Sequence, residues 1–334
     1  MPAPLRVHLG ERFTLDQTFA IADVADAAGL DSLWVAEGRL TRDAISIMAL
    51  LAQRTRTVRI GSGVINNKTR NPALTAVSFK TLDEIAPGRI VLGIGAWWEP
   101  IASKVGTPLR KPLQTMREYV GILRAFFAGG EVHADGEFFA MDGVRFDRMY
   151  AENTAVDVPI YTGPVGPRML ELSGELADGV YLDFLLPVSY LDEALPALAR
   201  GRSRSGITAP LDVAQIVTCA VDDADPDDAK DACKAFLTLY LMQQPHIAAH
   251  CGVEPELVDR IKQVAGWPAR TDDVRRAMPL VPDSLVRRVA AFGTATETAD
   301  MIEEYRAAGV RVPVLNPLGK DPVGTVKTLA EACA

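Results

Sequence analysis

Short apolar runs rich in β-branched residues alternate with amphipathic runs along almost the whole chain, and this alternation narrows the fold more than any other feature. "LRVHLG" (5–10) predicts a strand and "LDQTFAIADVADAAGL" (15–30) a helix. "SLWVAE" (32–37) with "RDAISIMALLAQRT" (42–55), "VRIGSGVI" (58–65) with "PALTAVSFKTLDEIA" (72–86), and "RIVLGIGA" (89–96) with "PLQTMREYVGILRAFFA" (112–128) repeat the pair. Such strands are covered on both faces, and the helices show apolar residues at i, i+3 and i+4. After a hairpin-like excursion (130–146), strands are expected at 158–163, 179–185, 211–221 and 311–317. Helices are expected at 167–177, 188–200, 226–243, 296–309 and 321–334. Eight strands alternating with helices imply a parallel sheet. The expected fold is a single (β/α)8 TIM barrel over 1–334, with insertions after strands 4 and 7, the second mostly helical near 244–290. A doubly wound open sheet is the alternative.

Charge and hydropathy exclude some functions. The net charge of −8 argues against a general nucleic-acid binder, which shows a basic face. No run of about 20 apolar residues is present, so no membrane span is expected. The start, "MPAPLRVHLGERF", lacks an apolar signal core. Cys219, Cys233, Cys251 and Cys333 form no CxxC and read as reduced thiols in a cytoplasmic protein.

Active sites of such barrels lie at the C-terminal strand ends. Strand 2 ends in Glu37 and Gly38, and strand 3 in Gly63, Val64, Ile65, Asn66 and Asn67. Strand 4 ends in Gly95, Ala96, Trp97, Trp98 and Glu99, and strand 5 in Tyr161, Thr162, Gly163 and Pro164. A glycine within a strand often marks close approach of a ligand or another backbone. Glycines at neighbouring ends, with aromatic walls, suggest a flat cofactor.

Each motif has a plainer alternative. "GIGAWW" (93–98) begins like a dinucleotide fingerprint, but Trp98 stands where the third glycine belongs. The loop Gly163, Pro164, Val165, Gly166, Pro167 is either a plain tight turn or an anion site at a helix N-terminus, assisted by Arg168. His246 and His250 stand one helical turn apart beside Cys251, yet no third ligand accompanies them, so no metal is expected.

The stretches 32–100 and 161–183 resemble the bacterial-luciferase-like superfamily through "RNPALTA…LDEIAPGR…LGIG" and "GP…LELSGELADGV". They are most similar to its deazaflavin-dependent branch, typified by methylenetetrahydromethanopterin reductase. The resemblance implies a (β/α)8 barrel, a homodimer, and coenzyme F420, or alternatively FMN, bound at the C-terminal face. It implies a non-prolyl cis bond at Gly63–Val64 backing the ring, with Asn66 near the ring's pyrimidine end and Gly163 to Pro167 facing the phosphate. Sugar-phosphate dehydrogenases of the family carry Asp-His after strand 2, where this chain has Glu37 and Gly38.

The activity this implies is F420-dependent hydride transfer, favouring reduction of an activated C=C or C=N bond of a small molecule. Glu37 is the expected proton source, aided by Tyr161 or a water. An FMN-dependent monooxygenase and a non-catalytic flavin-binding barrel are the alternatives.

Overall fold

The computed structural model describes residues 4–147, 149, 155–266 and 268–333. Its strands are β1 (Arg6–Leu9), β2 (Ser32–Val35), β3 (Arg59–Ser62), β4 (Ile65–Asn66), β5 (Ile90–Gly95), β6 (Val132–Asp135), β7 (Ala140–Val144), β8 (Ile160–Gly163), β9 (Gly179–Leu182), β10 (Asp212–Val221), β11 (Ala290–Gly293) and β12 (Val314–Pro317). Apart from the β6–β7 hairpin they build a parallel sheet whose connections run through helices, except for the two residues between β3 and β4, and the fold is a (β/α)8 barrel.

Helix boundaries follow local chemistry. Thr14 caps Leu15–Ala27 in a reciprocal box with Gln17. Asp43 caps Ala44–Arg54, and Asn71 caps Pro72–Ile85 with proline at its first turn. The run predicted as one strand over 58–65 is interrupted after Ser62, and the chain re-enters the sheet as β4.

Contacts group the chain into two compact units. One comprises Met1–Val7, Leu182–Leu195 and Val213–Ala334. In it β10 pairs with β11 (Thr218↔Ala290) and with β12 (Ile216↔Val314), and β12 pairs with the start of β1. Short helices between 245 and 289 pack on the helix Pro226–Gln243 around Cys233, Phe236, Leu237, Ile261 and Val286. The sequence reading assigned 244–290 to a helical insertion and overlooked β11. That strand's four residues, Ala-Ala-Phe-Gly, include no β-branched side chain, and pairing with β10 overrides their weak strand tendency.

The other unit comprises His8–Tyr181 and Pro196–Asp212. Here β2 pairs with β3 (Val35↔Ser62), β3 with β5 (Ile60↔Ile90), β5 with β8 (Gly95↔Gly163) and β8 with β9 (Tyr161↔Gly179). Trp34 fills the space inside these strands and is 1 % exposed. Its indole stacks on Tyr181 with centroids 4.6 Å apart and lies 5.1 Å from Tyr161.

Candidate active site at the strand ends

The site lies in the second unit, where β3, β4, β5 and β8 end. The peptide bond between Gly63 and Val64 is cis, as the resemblance implied. The bulge is tied on both sides: Gly63 N–H donates to Val35 C=O at 2.7 Å, and Asn67 N–H to Gly95 C=O at 3.0 Å. Ile65 and Asn66 then pair with Ile94 and Gly95.

The glycines at these strand ends make room for the protein's own side chains. A Cβ on Gly61 would lie 2.8 Å from Trp34 Cε3. One on Gly93 would meet the Ser62 carbonyl and the same indole. One on Gly63 would stand 2.9 Å from Trp34 Cβ and 3.1 Å from the Tyr181 hydroxyl. Gly95 and Gly163 form the seat of Val64, whose Cγ2 lies 2.9 and 3.3 Å from the places their Cβ atoms would take. Val64 itself is half-buried.

Asn66 is buried, and its side-chain oxygen accepts from Lys68 N–H, Thr69 N–H and the Thr69 hydroxyl. With these three bonds that oxygen shapes the turn after β4. Ala96 is half-buried; Trp97 has φ +69°, and its Nε1 donates to Gly38 C=O at 2.9 Å. Glu11, just past β1, accepts from Gly38 N–H and from Arg39 N–H, the latter at 2.7 Å. The loop after β2 is thus clamped from two sides.

Glu37 does not suit the proton-donating role expected of it. Its two carboxylate oxygens are held by Arg70 in a bidentate pair, Nη2 to Oε2 at 2.8 Å, and Oε2 also accepts from Ala44 N–H at 2.9 Å. Arg70 reaches on to Asp43. This network fastens the loop after β2 to the turn before the helix Pro72–Ile85, and it leaves the carboxylate acting as an acceptor throughout.

Tyr161 also departs from expectation. Its hydroxyl donates to Asp212 Oδ2 at 2.6 Å. Asp212 N–H in turn bonds the Asp178 carbonyl, just ahead of β9. The phenol therefore points to the end of the strands away from the site. Thr162 is 1 % exposed, with its hydroxyl unpartnered among the described residues. Beyond Gly163, Pro164 is buried while Val165, Pro167 and Arg168 are exposed. Gly166 is the N-cap of Pro167–Leu176, with no side chain capping that terminus and nothing within 4 Å of where its Cβ would stand.

Elsewhere, His246 Nε2 lies 3.1 Å from Asp183 Oδ2, and the His250 ring meets Tyr190 edge-on at 4.6 Å. Among the described residues no cluster of three metal-ligating side chains exists, and no helix is long and apolar enough to cross a membrane. Cys219, Cys233, Cys251 and Cys333 are in no disulfide, and burial pushes the Cys251 thiol up to about 11.

Sequence reasoning missed His8, Tyr181 and Trp34, and it did not foresee that Glu11, at the end of strand 1, and Arg70, in the polar cluster after strand 3, hold the loop after β2. Inward-facing positions are signalled by strand alternation, but their meeting across the barrel is not local information.

A 5,10-methylenetetrahydromethanopterin reductase of Methanolobus tindarius is 30% identical over 313 residues, 93% of each chain. An F420-dependent glucose-6-phosphate dehydrogenase of Beutenbergia cavernae is 28% identical over 307 residues, 84% of this chain and 85% of that one. The solved structure of the coenzyme F420 dependent tetrahydromethanopterin reductase from Methanopyrus kandleri superposes with TM-score 0.84 at 24% identity, covering 99% of this chain and 98% of that one. The model of the luciferase-like monooxygenase family matches residues 2–312, and the chain belongs to that family.

Proposed function

We propose that this protein is a coenzyme F420-dependent oxidoreductase that reduces an activated C=C or C=N bond of a small organic substrate. The observation that carries the reading is the match to a reductase over 93% of both chains, beside a relative named for F420 dependence. When bound, a deazaflavin supplies hydride, since carbon at position 5 disfavours oxygen activation.

The residues present fit such a group. The first-turn N–H groups of Pro167–Leu176 lack a side-chain cap, and Arg168 is exposed beside them. An uncapped helix N-terminus with an adjacent guanidinium suits a phosphate. Val64, seated by Gly95 and Gly163, offers a half-buried apolar surface to a flat ring. In this reading Gly63, Val64 and Asn66 back the ring, and Gly95, Ala96 and Trp97 flank it. Thr162 and the loop Gly163, Pro164, Val165, Gly166, Pro167 hold the far end. The clamped loop around Gly38 keeps one wall fixed, which favours a defined reacting geometry.

Glucose-phosphate oxidation is not favoured. The Asp-His pair that family dehydrogenases carry after strand 2 is absent, and Glu37 in its place is bound to Arg70. The family's monooxygenase description favours a second reading, an FMN-dependent monooxygenase. Fluorescence titration separates the two. F420 is expected to saturate at a single equivalent per chain and to bind more tightly than FMN. Tight FMN binding with substrate-dependent oxygen uptake overturns the proposal.

A further inference from the structure

With Glu37 held by Arg70, Tyr161 turned to Asp212, and Glu11 capping Gly38 and Arg39, the site needs another source of protons. His8 on β1 and Tyr181 on β9 are bonded to each other, Nδ1 to hydroxyl oxygen, at 2.9 Å. Both are almost wholly buried, His8 6 % and Tyr181 4 % exposed. The Tyr181 ring is fixed by stacking on Trp34 at 23°. Its hydroxyl lies 3.1 Å from where a Cβ on Gly63 would stand, so it abuts the residue that opens the cis bond. A phenol against the bulge, backed by the one side chain that ordinarily titrates near neutrality, is the composition of a proton relay.

We infer that Tyr181 is the proton donor of the reduction and that His8 recharges it, an inference that rests on the reductase reading above. Coenzyme F420, when bound, would supply hydride to one atom of the C=C or C=N bond and leave the electron pair on the other. The Tyr181 O–H bond breaks, and its proton forms the new N–H or C–H bond at that second atom. The phenolate then takes the His8 Nδ1 proton. An imidazolium becomes a neutral imidazole in this step, and a neutral Nδ1–H imidazole takes a solvent proton on Nε2 in the same step and switches tautomer.

The relay works only if His8 carries its proton on Nδ1, as the neutral Nδ1–H tautomer or as imidazolium. If Nδ1 is bare it accepts from the phenol, whose proton is then directed away from substrate. Nitrogen-15 NMR of histidine-labelled apoprotein reads this directly, and His8→Asn identifies the His8 signals among the four histidines. A protonated Nδ1 is expected at neutral pH. In Tyr181→Phe, which keeps the stacked ring, the neutral imidazole is expected to revert to the Nε2–H form. Saturating coenzyme F420, followed by its own fluorescence, is expected to move the wild-type His8 signals and to bind Tyr181→Phe within about threefold of wild type. A bare Nδ1 in wild type overturns the inference, as does F420 binding that leaves His8 undisturbed; in both cases the reductase reading survives. Failure of F420 to bind wild type overturns that reading and this inference with it.

Discussion

Trp34 occupies the space that a side chain on Gly61 would need: a Cβ there would lie 2.8 Å from the indole Cε3, one strand across in the β2–β3 ladder. Real Cβ atoms do not approach so closely, and the indole, 1 % exposed between Tyr161 and Tyr181, has nowhere to retreat. Gly61→Ala is therefore expected to destabilise the protein by about 1–3 kcal/mol through overpacking. Trp34→Phe in the same chain should recover part of that loss, since a smaller ring vacates the contested volume. Denaturant unfolding of the double-mutant cycle checks this. Strictly additive effects would refute the claim that the two positions compete for one space.

The pair of Glu37 with Arg70 leads to a different expectation from the one its strand-end position suggests. Glu37→Gln removes the bidentate partner and leaves Arg70 with Asp43. The pair is mostly shielded, with side chains 10 % and 16 % exposed, so the loss should be about 1–2 kcal/mol of stability, moderated by Asp43. F420 affinity should fall in step with loop order, and Arg70→Lys should reproduce the loss because an ammonium cannot make the fork. A variant as stable as wild type that binds F420 normally yet slows turnover about 100-fold would return Glu37 to the role of proton donor.

How legible the site was depended on the distance between interacting residues. The barrel could be read because each strand carries its own signal, as in Ile90–Gly95, where every residue is buried. Pro72 and Asn71 marked their helix start locally. The glycines of β3 were visible as anomalies, but their cause was not. Gly61 answers to Trp34 and Gly63 to Tyr181, and neither partner is adjacent in sequence. Strand alternation says that Tyr161 and Tyr181 both point inward. It does not say that one hydroxyl meets Asp212 and the other His8. Glu37 looked catalytic because strand-end acids often are; Arg70, thirty-three positions later, changes its part.

Asp26 gives a pH-dependent test of the fold. Its carboxylate accepts from the backbone N–H groups of Arg56, Thr57 and Val58, at 2.8 to 2.9 Å, bracing the turn into β3. Partial burial raises its pKa, but the three N–H donors outweigh this and hold it at about 2, against the ordinary 3.8. A depressed folded-state pKa contributes stability that is full above the unfolded value and is lost as pH falls from about 4 through about 2. Asp26→Asn should therefore cost about 1 kcal/mol at neutral pH, a figure discounted for solvent screening. The gap from wild type should close as unfolding is measured from pH 5 toward pH 2. A gap independent of pH would show that the charged form is not what stabilises the turn.

Lys68 offers the most direct probe of what the site binds. The chain has 43 acidic residues against 35 basic ones, and Lys80, Lys111, Lys230, Lys234 and Lys320 each pair with a carboxylate. Lys68, in the turn after β4, has no carboxylate partner among the described residues. Its ammonium instead lies 5.6 Å from the centroid of Phe138, and burial lowers its pKa. A half-buried cation without an acid in a chain with excess acid is suited to an anion brought by a ligand. Lys68→Gln should weaken coenzyme F420 about tenfold, equivalent to about 1.4 kcal/mol. Lys68 follows Asn66 at the end assigned to the ring, so a deazaflavin riboside without the phosphate should lose affinity in the variant as F420 does. Lys68→Arg should retain most of the affinity, and both ligands should bind wild type more weakly as salt rises. Weakening of F420 alone would place the ammonium at the phosphate; no weakening of either ligand would remove it from the site.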